Sequence, residues 1–263
     1  MLKSKKLKII IILAALLGIV SMGLVSFIRR NYVPPILMYH FIRPGEPPSM
    51  RLTVSPATFE RQMRVLKILR YKVRPLSDLV KMMESSEKIP YGTVFITFDD
   101  GSKDNYINAY PVLKKYSLPA TMFIITQEVG RDDRLNWNEI LKMRDSGLID
   151  FGSHCIGPEP LVNLKSEEKI KDEIFRSKAV LEDKLNEPIE LFAYPEGLFN
   201  ERIRQLVIDA GYKLAFTTSK KGYPDNDRFA MKRLRISETS ANPIVFCIQV
   251  SGVYNFIKEH RDD

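Results

Sequence analysis

The sequence predicts an α/β protein, either an open parallel sheet or a (β/α) barrel, formed as one domain. Strand-length apolar segments alternate with helical segments over about 210 residues, which is the pattern of both folds. The chain has 263 residues and is 44% hydrophobic, so it can bury a sizeable core and is unlike a disordered or collagen-like chain. Its two cysteines exclude a disulfide scaffold and a Cys-rich zinc module.

The N-terminal region predicts a membrane anchor. Residues 9–28 carry no charge, and a helix of this length spans about 30 Å, the thickness of a bilayer core. Lysines precede the run and arginines follow it, which predicts a cytoplasmic basic segment at 1–8 and export of the remainder. A cleaved signal peptide is the alternative, although the run is longer than a usual signal core and no A-x-A pattern follows it.

The same region accounts for most of the net charge of +8. Residues 1–30 contain several basic residues and no acidic one, and the rest of the chain is nearly balanced. We therefore expect the membrane as a partner through residues 9–28, and no nucleic acid. The exported domain is expected at 34–250, between a segment of linker and first strand at 29–50 and a polar tail at 251–263.

The first elements of this domain follow from local signals. Residues 36–40 are expected to form a strand, because an apolar stretch lies there between Pro-rich loops. Ser55 and Pro56 are the residue types of an N-cap and a first-turn proline. A helix is expected after them, because apolar residues recur at helical spacing, namely Phe59, Met63, Leu66 and Leu69.

The elements that follow alternate in type along the chain. Further strands are expected at 93–98, 121–126, 149–154, 191–194, 215–218 and 234–237. Further helices are expected at 76–83, 105–116, 137–146, 166–185 and 200–210. Ser77 is expected to cap the helix at 76–83, and a break is expected near Pro111. Residues 244–250 fit either a helix or a strand.

Residues able to do chemistry follow four of the strands. They are Tyr39-His40, Asp99-Asp100, Ser153-His154 and the turn Pro195-Glu196-Gly197. Either fold brings the carboxyl ends of its strands to one edge or mouth, where sites of such folds lie. Two adjacent carboxylates facing one pocket raise each other's pKa unless a cation neutralises them, and a metal held by one leaves the other free as a base.

Each of these residues also has an ordinary structural interpretation. Asp100 followed by a glycine is typical of an Asx turn that closes a strand, and each histidine could be a hydrogen-bonded strand-end residue. Cys155 is expected to be a half-buried thiol, with a disulfide to Cys247 as the alternative in an oxidising compartment.

The chain resembles polysaccharide deacetylases of the NodB-homology type, a branch of the carbohydrate esterases, over residues 34–237. The resemblance is carried in order by VPPILMYH, SPATFERQMRVLKILRYKV, VFITFDDGSKDNYINAYPVLKKYSLPATMFI, FGSHCIGPEPLVNL, FAYPEGLFNERI, DAGYKLAFTT and RLRIS. It implies a distorted (β/α) barrel with a divalent metal, often zinc, at its mouth. The family removes N- or O-acetyl groups from glycans.

The family pattern assigns roles residue by residue. It makes Asp99 the general base, Asp100 and His154 metal ligands, and His40 the candidate general acid. The turn Tyr194-Pro195-Glu196 would bind substrate and, through a backbone N–H near Glu196, the oxyanion.

The sequence departs from the family pattern at three places, one of which is Glu196, where an aromatic residue is usual. Pro158 stands where the second histidine ligand is expected, although catalytic zinc usually has three protein ligands. Glu159 is a possible substitute oxygen ligand, and Asp104 is another. Many relatives place an arginine near the base, at the position of Ala193 here. Arg233 and Arg235 are candidates to supply that charge, with structural salt bridges as the alternative, and Arg235 is our candidate orienting residue.

These observations predict a membrane-anchored, extracytoplasmic, metal-dependent hydrolase that removes acetyl groups from an N-acetylated cell-wall or exported polysaccharide. The alternative is a catalytically impaired relative that binds glycan or acts as a surface scaffold, and Pro158 and Glu196 favour it. The identity of the glycan, the protein partners and the oligomeric state do not follow from the sequence.

Overall fold

The structure, a computed structural model, describes residues 2–30, 32–44, 51–218 and 227–252. Part of the predicted linker and nearly all of the predicted polar tail at 251–263 therefore lie outside the described residues. Helix α1 comprises Leu2–Arg30, and the apolar side chains described on it are exposed. Judged on the residues that are described, no helix is both long enough and apolar enough to cross a membrane.

A curved parallel sheet forms the centre of the domain. Its strands are β1 (Ile36–Tyr39), β4 (Lys72–Arg74), β5 (Thr93–Phe98), β6 (Ala120–Ile124), β7 (Ile149–Ser153), β8 (Leu191–Ala193), β9 (Leu214–Thr217), β10 (Met231–Lys232) and β11 (Leu234–Arg235). The strand order is β10-β9-β8-β7-β6-β5-β1-β11, and β4 pairs with the first half of β5. Two short strands, β2 (Phe41–Ile42) and β3 (Thr53–Val54), form a separate pair above β1.

The sheet is nearly closed into a barrel, as the family resemblance implies. Strands β10 and β11 lie at opposite ends of the strand order, yet only Arg233 separates them in the chain. The backbone N–H of Arg233 donates to Thr217 at one end of the sheet, and the N–H of Ile236 donates to Met38 at the other. Arg233 is therefore the residue at which the chain crosses the seam of the barrel.

Helices cover the outside of the barrel. They are α2 (Pro56–Ile68), α3 (Leu76–Glu84), α4 (Tyr110–Tyr116), α5 (Trp137–Asp145), α6 (Glu167–Leu185), α7 (Glu201–Asp209) and α8 (Pro243–Val250). All six residues of β5 and all five of β6 are buried, as expected for parallel strands covered on both faces. Side chains alternate along a strand, so Phe95, Thr97 and Asp99 share the inner face of the barrel.

Several local predictions are confirmed and others are corrected. Ser55 is the N-cap of α2, and its hydroxyl accepts from the N–H of Thr58. The predicted cap at Ser77 is wrong. Helix α3 begins after Pro75 without a side-chain cap, and its first N–H donates instead to Thr121 of the barrel.

The segment predicted as a helix at 105–116 divides into two parts, and the segment at 244–250 is settled as helical. A π-helix at Asn105–Ala109 precedes α4, so the break falls between Ala109 and Tyr110, close to Pro111 as predicted. Helix α8 is capped by Asn242, which accepts from the N–H of Ile244. The sequence had not indicated β2, β3, β4 or β10, which have two or three residues each.

Candidate active site

Asp99 lies at the floor of the barrel mouth, paired with the arginine of the seam. It is 2% exposed, and both terminal nitrogens of Arg233 donate to its two carboxylate oxygens at 2.6 Å. Arg233 also donates to the Thr97 hydroxyl at 3.3 Å, and its guanidinium carbon lies 5.2 Å from the centroid of the Phe123 ring. Burial is the largest single effect and raises the pKa of Asp99, but the charge and hydrogen bonds of Arg233 together with the effects of His154 and His40 outweigh it, so the net pKa lies below the ordinary value.

This ion pair corrects the assignment of the orienting residue. The charge near Asp99 comes from Arg233, whereas Arg235 is exposed and makes no contact with Asp99 among the described interactions. Arg233 and Arg235 flank Leu234, so their side chains point to the same face of the sheet. Both line the cavity, but Arg233 is buried beside Asp99 and Arg235 is exposed at the rim.

His40 follows β1 on the same side of the mouth as the seam. Its Nε2 lies 4.0 Å from a carboxylate oxygen of Asp99. Burial lowers the pKa of His40, and the carboxylates of Asp99 and Asp100 only partly oppose this effect, so the net pKa lies below the ordinary histidine value. The amide nitrogen of Asn105, in the π-helix, donates to the His40 carbonyl at 2.8 Å and so fixes the backbone from which this imidazole extends.

Asp100 and His154 form a second pair, beside the first. The Nδ1 of His154 lies 2.7 Å from the Ala193 carbonyl, which can only accept, so this nitrogen carries the proton. The other nitrogen, Nε2, is then free and lies 3.5 Å from Asp100. Asp100 is held in the left-handed region, with a φ of 69°, and its carboxylate faces His154 whereas that of Asp99 faces Arg233.

These two side chains supply two donors for a divalent ion. Two ligands at about 2.0–2.1 Å from a tetrahedral ion lie about 3.4 Å apart, close to the separation of Asp100 and His154. An outer hydrogen bond of the kind that Ala193 accepts is the usual way in which a ligating imidazole is oriented.

A third protein donor is missing. Pro158 lines the same cavity, but its side chain has no atom that can bind a metal. Glu159 is exposed and does not line the cavity, and Asp104 accepts from the N–H of Ile42 and lies 3.7 Å from Arg43. Within the described parts of the chain, no group of three or more His, Cys, Asp or Glu side chains is arranged to hold an ion. The residues present therefore do not fit a zinc ion held by three protein ligands.

The loop that carries Pro158 is nonetheless rigidly held. One carboxylate oxygen of Glu173 accepts from the N–H groups of Ile156 and Gly157, at 2.8 and 2.9 Å. A Cβ added at Gly157 would lie 2.8 Å from the amide nitrogen of Gln127. Sequence reasoning missed Glu173, whose only local signal is its place within a charged helix.

The two cysteines are both free. Cys155 is fully buried, and burial together with the charge of Glu173 raises the pKa of its thiol. Cys247 is half-buried on α8. The expectation of a half-buried thiol at Cys155 is therefore corrected to a buried one, and the disulfide is not formed.

The turn after β8 forms another wall of the mouth. Tyr194 is fully buried, and its hydroxyl donates to the Phe229 carbonyl. Pro195 is buried and Glu196 is exposed, with a left-handed φ of 55°. Gly197 lies so close to the Thr218 backbone that a Cβ would approach it within 2.4 Å.

One cavity of about 550 Å³ brings most of the predicted site residues together. Its lining includes His40, Asp99, Asp100, His154, Pro158, Tyr194, Pro195, Glu196 and Arg235. It also includes Arg233, which the sequence offered as a candidate for the charge near the base, and Arg51, which sequence reasoning missed. The two candidate substitute ligands, Glu159 and Asp104, are not among the residues that line this cavity.

The chain is similar to known proteins over most of its length. The family model for polysaccharide deacetylases matches residues 87–215. A putative polysaccharide deacetylase of Bacillus subtilis, YxkH, is 32% identical over 204 residues, which are 77% of this chain and 71% of that protein. The poly-beta-1,6-N-acetyl-D-glucosamine N-deacetylase of Staphylococcus aureus is 30% identical over 209 residues, covering 73% and 71%.

A solved structure supports the same relationship. The deacetylase PplD of Streptococcus pyogenes, in complex with acetate, superposes with a TM-score of 0.76 at 29% identity. The match covers 83% of this chain and 99% of that one.

Proposed function

Because this chain belongs to the polysaccharide deacetylase family, we propose that it hydrolyses the N-acetyl amide of a cell-wall or exported polysaccharide at the cavity around Asp99. The observation that carries the proposal is the buried Asp99–Arg233 pair at the floor of that cavity, with His40 at 4.0 Å. An ionised carboxylate beside an imidazole is a suitable arrangement for moving a proton during amide hydrolysis.

The residues of the chain can carry the proton through the whole reaction. Arg233 keeps Asp99 ionised, so that Asp99 can take a proton from a water molecule as the water oxygen attacks the acetyl carbon. The proton passes to Nε2 of His40, which is neutral at pH 7, and from there to the nitrogen as the carbon–nitrogen bond breaks. Acetic acid and a free amine leave, the acid releases its remaining proton to the solvent to give acetate, and Asp99 and His40 return to their starting states.

The turn at Tyr194–Gly197 is the proposed support for the acetyl oxygen, through its backbone N–H groups. We propose that a divalent ion at this site would contact Asp100 and His154 and no other protein side chain. Because those donors do not complete a zinc site, no step above depends on the ion.

Acetate release tests the proposal directly. The full-length protein in detergent should release acetate from N-acetylglucosamine oligomers, with and without added zinc, cobalt, nickel or manganese, and Asp99→Asn should abolish the release. Absence of release under every one of these conditions would refute the proposed activity.

Pro158 favours a second candidate function, that of a glycan-binding relative without hydrolysis. In that case the oligomers would bind, as measured by calorimetry, with the same affinity in the wild type and in Asp99→Asn. No acetate would appear in either sample.

We also propose that the domain lies outside the cytoplasm and is tethered through residues 9–28. The proposal rests on the uncharged run and its basic flanks. Protease added to intact spheroplasts should degrade the domain. Protection of the domain until the membrane is lysed would contradict this location.

A further inference from the structure

The rim of the cavity carries two arginines that the chemistry above does not use. Arg51 lies just before β3 and Arg235 ends β11, and both are exposed and line the cavity. In the described parts of the chain neither forms an ion pair with an acidic side chain. Arg233, in contrast, is buried and forms an ion pair with Asp99.

Both arginines lie on the His40 side of the mouth. In the pairing of β1 with β11, Arg235 is the partner of Met38, two residues before His40. The residue after His40 is Phe41, whose N–H donates to the carbonyl of Leu52, the neighbour of Arg51. Both arginines therefore extend from backbone that is hydrogen-bonded to the segment around His40, Arg235 next to β1 and Arg51 next to β2.

The proposed chemistry determines what faces these arginines. His40 delivers a proton to the amide nitrogen, so the sugar that bears this nitrogen must lie on the His40 side of the cavity. The two guanidinium groups therefore face the sugar and its neighbours along the glycan, rather than the acetyl group.

The remaining charges of the cavity do not cancel this positive rim. Asp99 is neutralised by Arg233, and Asp100 faces His154 on the neighbouring part of the mouth. Glu196 follows β8, which is separated from β11 by β9 and β10 in the strand order. On the His40 side of the rim, the charges are thus those of the two arginines.

Resting on the proposed deacetylase function, we infer that the preferred substrate is an N-acetylated glycan carrying an anionic group near the reacting sugar, bound by Arg51 and Arg235. Guanidinium groups bind phosphate and carboxylate through paired, charge-assisted hydrogen bonds. A neutral N-acetylglucosamine polymer offers only hydroxyl groups at this position and is the poorer substrate.

Matched oligosaccharides test the inference. The full-length protein is given N-acetylglucosamine oligomers of one length in three forms: neutral, bearing a 6-O-phosphate, or with an N-acetylmuramic carboxylate on alternate sugars. We expect kcat/KM for at least one anionic form to exceed that for the neutral form by about tenfold or more. The two anionic forms distinguish phosphate from carboxylate as the recognised group.

Three further measurements make the test specific. The ratio of anionic to neutral kcat/KM should fall towards one in the double variant Arg51→Gln/Arg235→Gln and with added salt. It should not change in Arg64→Gln, which removes an exposed arginine of α2 outside the cavity. A ratio near one in the wild type, with good turnover of the neutral oligomer, would refute the anionic preference while the deacetylase function stands.

Absence of acetate release from all three forms would refute the proposed function instead. The inference would then be decided by calorimetry with the same oligomers. Equal affinity for the neutral and anionic forms would overturn it, and at least tenfold tighter binding of an anionic form, lost in the double variant, would support it.

Discussion

Replacing Arg233 by methionine removes the cation that neutralises Asp99 and leaves a carboxylate that is 2% exposed without its main partner. Removing one member of a buried ion pair typically costs about 3–5 kcal/mol, a large part of the roughly 5–15 kcal/mol that stabilises a domain. For a domain of this size the midpoint of thermal unfolding should fall by about 6–20 °C. Thermal and urea unfolding of the full-length protein at pH 7 measure the loss.

The stability lost in Arg233→Met should depend on pH, and the direction of that dependence follows from the pKa of Asp99. In the wild type the pKa of Asp99 is depressed, so its contribution to stability is present above the ordinary aspartate pKa and is lost as the pH falls through the folded value. Without Arg233, burial is opposed only by the smaller effects of His154 and His40, so the pKa of Asp99 should rise above the ordinary value. The variant then carries a penalty at neutral pH that disappears once Asp99 is protonated, so its deficit relative to the wild type should shrink towards acid pH.

Two further variants separate the ion pair from the side-chain volume. Arg235→Met removes the exposed arginine two residues later and should change the free energy of unfolding by no more than about 0.5 kcal/mol. Arg233→Lys keeps a charge but loses the paired donors and should fall between the wild type and Arg233→Met. An equal loss in Arg233→Met and Arg235→Met, or a deficit that is the same at every pH, would refute the reasoning.

Two other substitutions test the mouth of the barrel. Pro158→His should raise the affinity for zinc or cobalt about 100-fold in calorimetry, because a histidine can adopt the backbone angle that proline fixes; Glu159→His, at an exposed position, is the control, and no gain over it would contradict a held third ligand position. Gly197→Ala should lower the free energy of unfolding by about 2–4 kcal/mol, because its Cβ would clash with Thr218. The matched Gly211→Ala has a similar positive φ but open space around it and should lose only about 1 kcal/mol. Equal losses in the two glycine variants would show that the close approach to Thr218 does not matter.

The strand ends were predictable because each depends on a short stretch of sequence. The apolar run before Asp99 identifies β5, and alternation along it places Phe95 and Thr97 on the inner face with that carboxylate. The family pattern predicted that His40 and His154 lie at the same mouth, and both histidines line one cavity with Asp99.

The partner of Asp99 could not be chosen in the same way. The Arg233–Asp99 contact joins residues 134 positions apart, and it depends on where the barrel closes. The closing strands β10 and β11 have two residues each, too few to show which of the two arginines on that face of the sheet reaches Asp99. Glu173 was missed for a related reason, since its contact with the Pro158 loop is made across two different elements.

The position of Arg233 at the seam also determines when, during synthesis of the chain, Asp99 can be neutralised. The ribosome makes Asp99 long before the arginine that neutralises it, and the crossing from β10 to β11 is among the last parts of the barrel to emerge. Until that crossing is made, the nascent protein has an open sheet and an uncompensated acid at its floor. Closure of the barrel and neutralisation of Asp99 therefore depend on the same residue, and a polypeptide that ends before Arg233 lacks both.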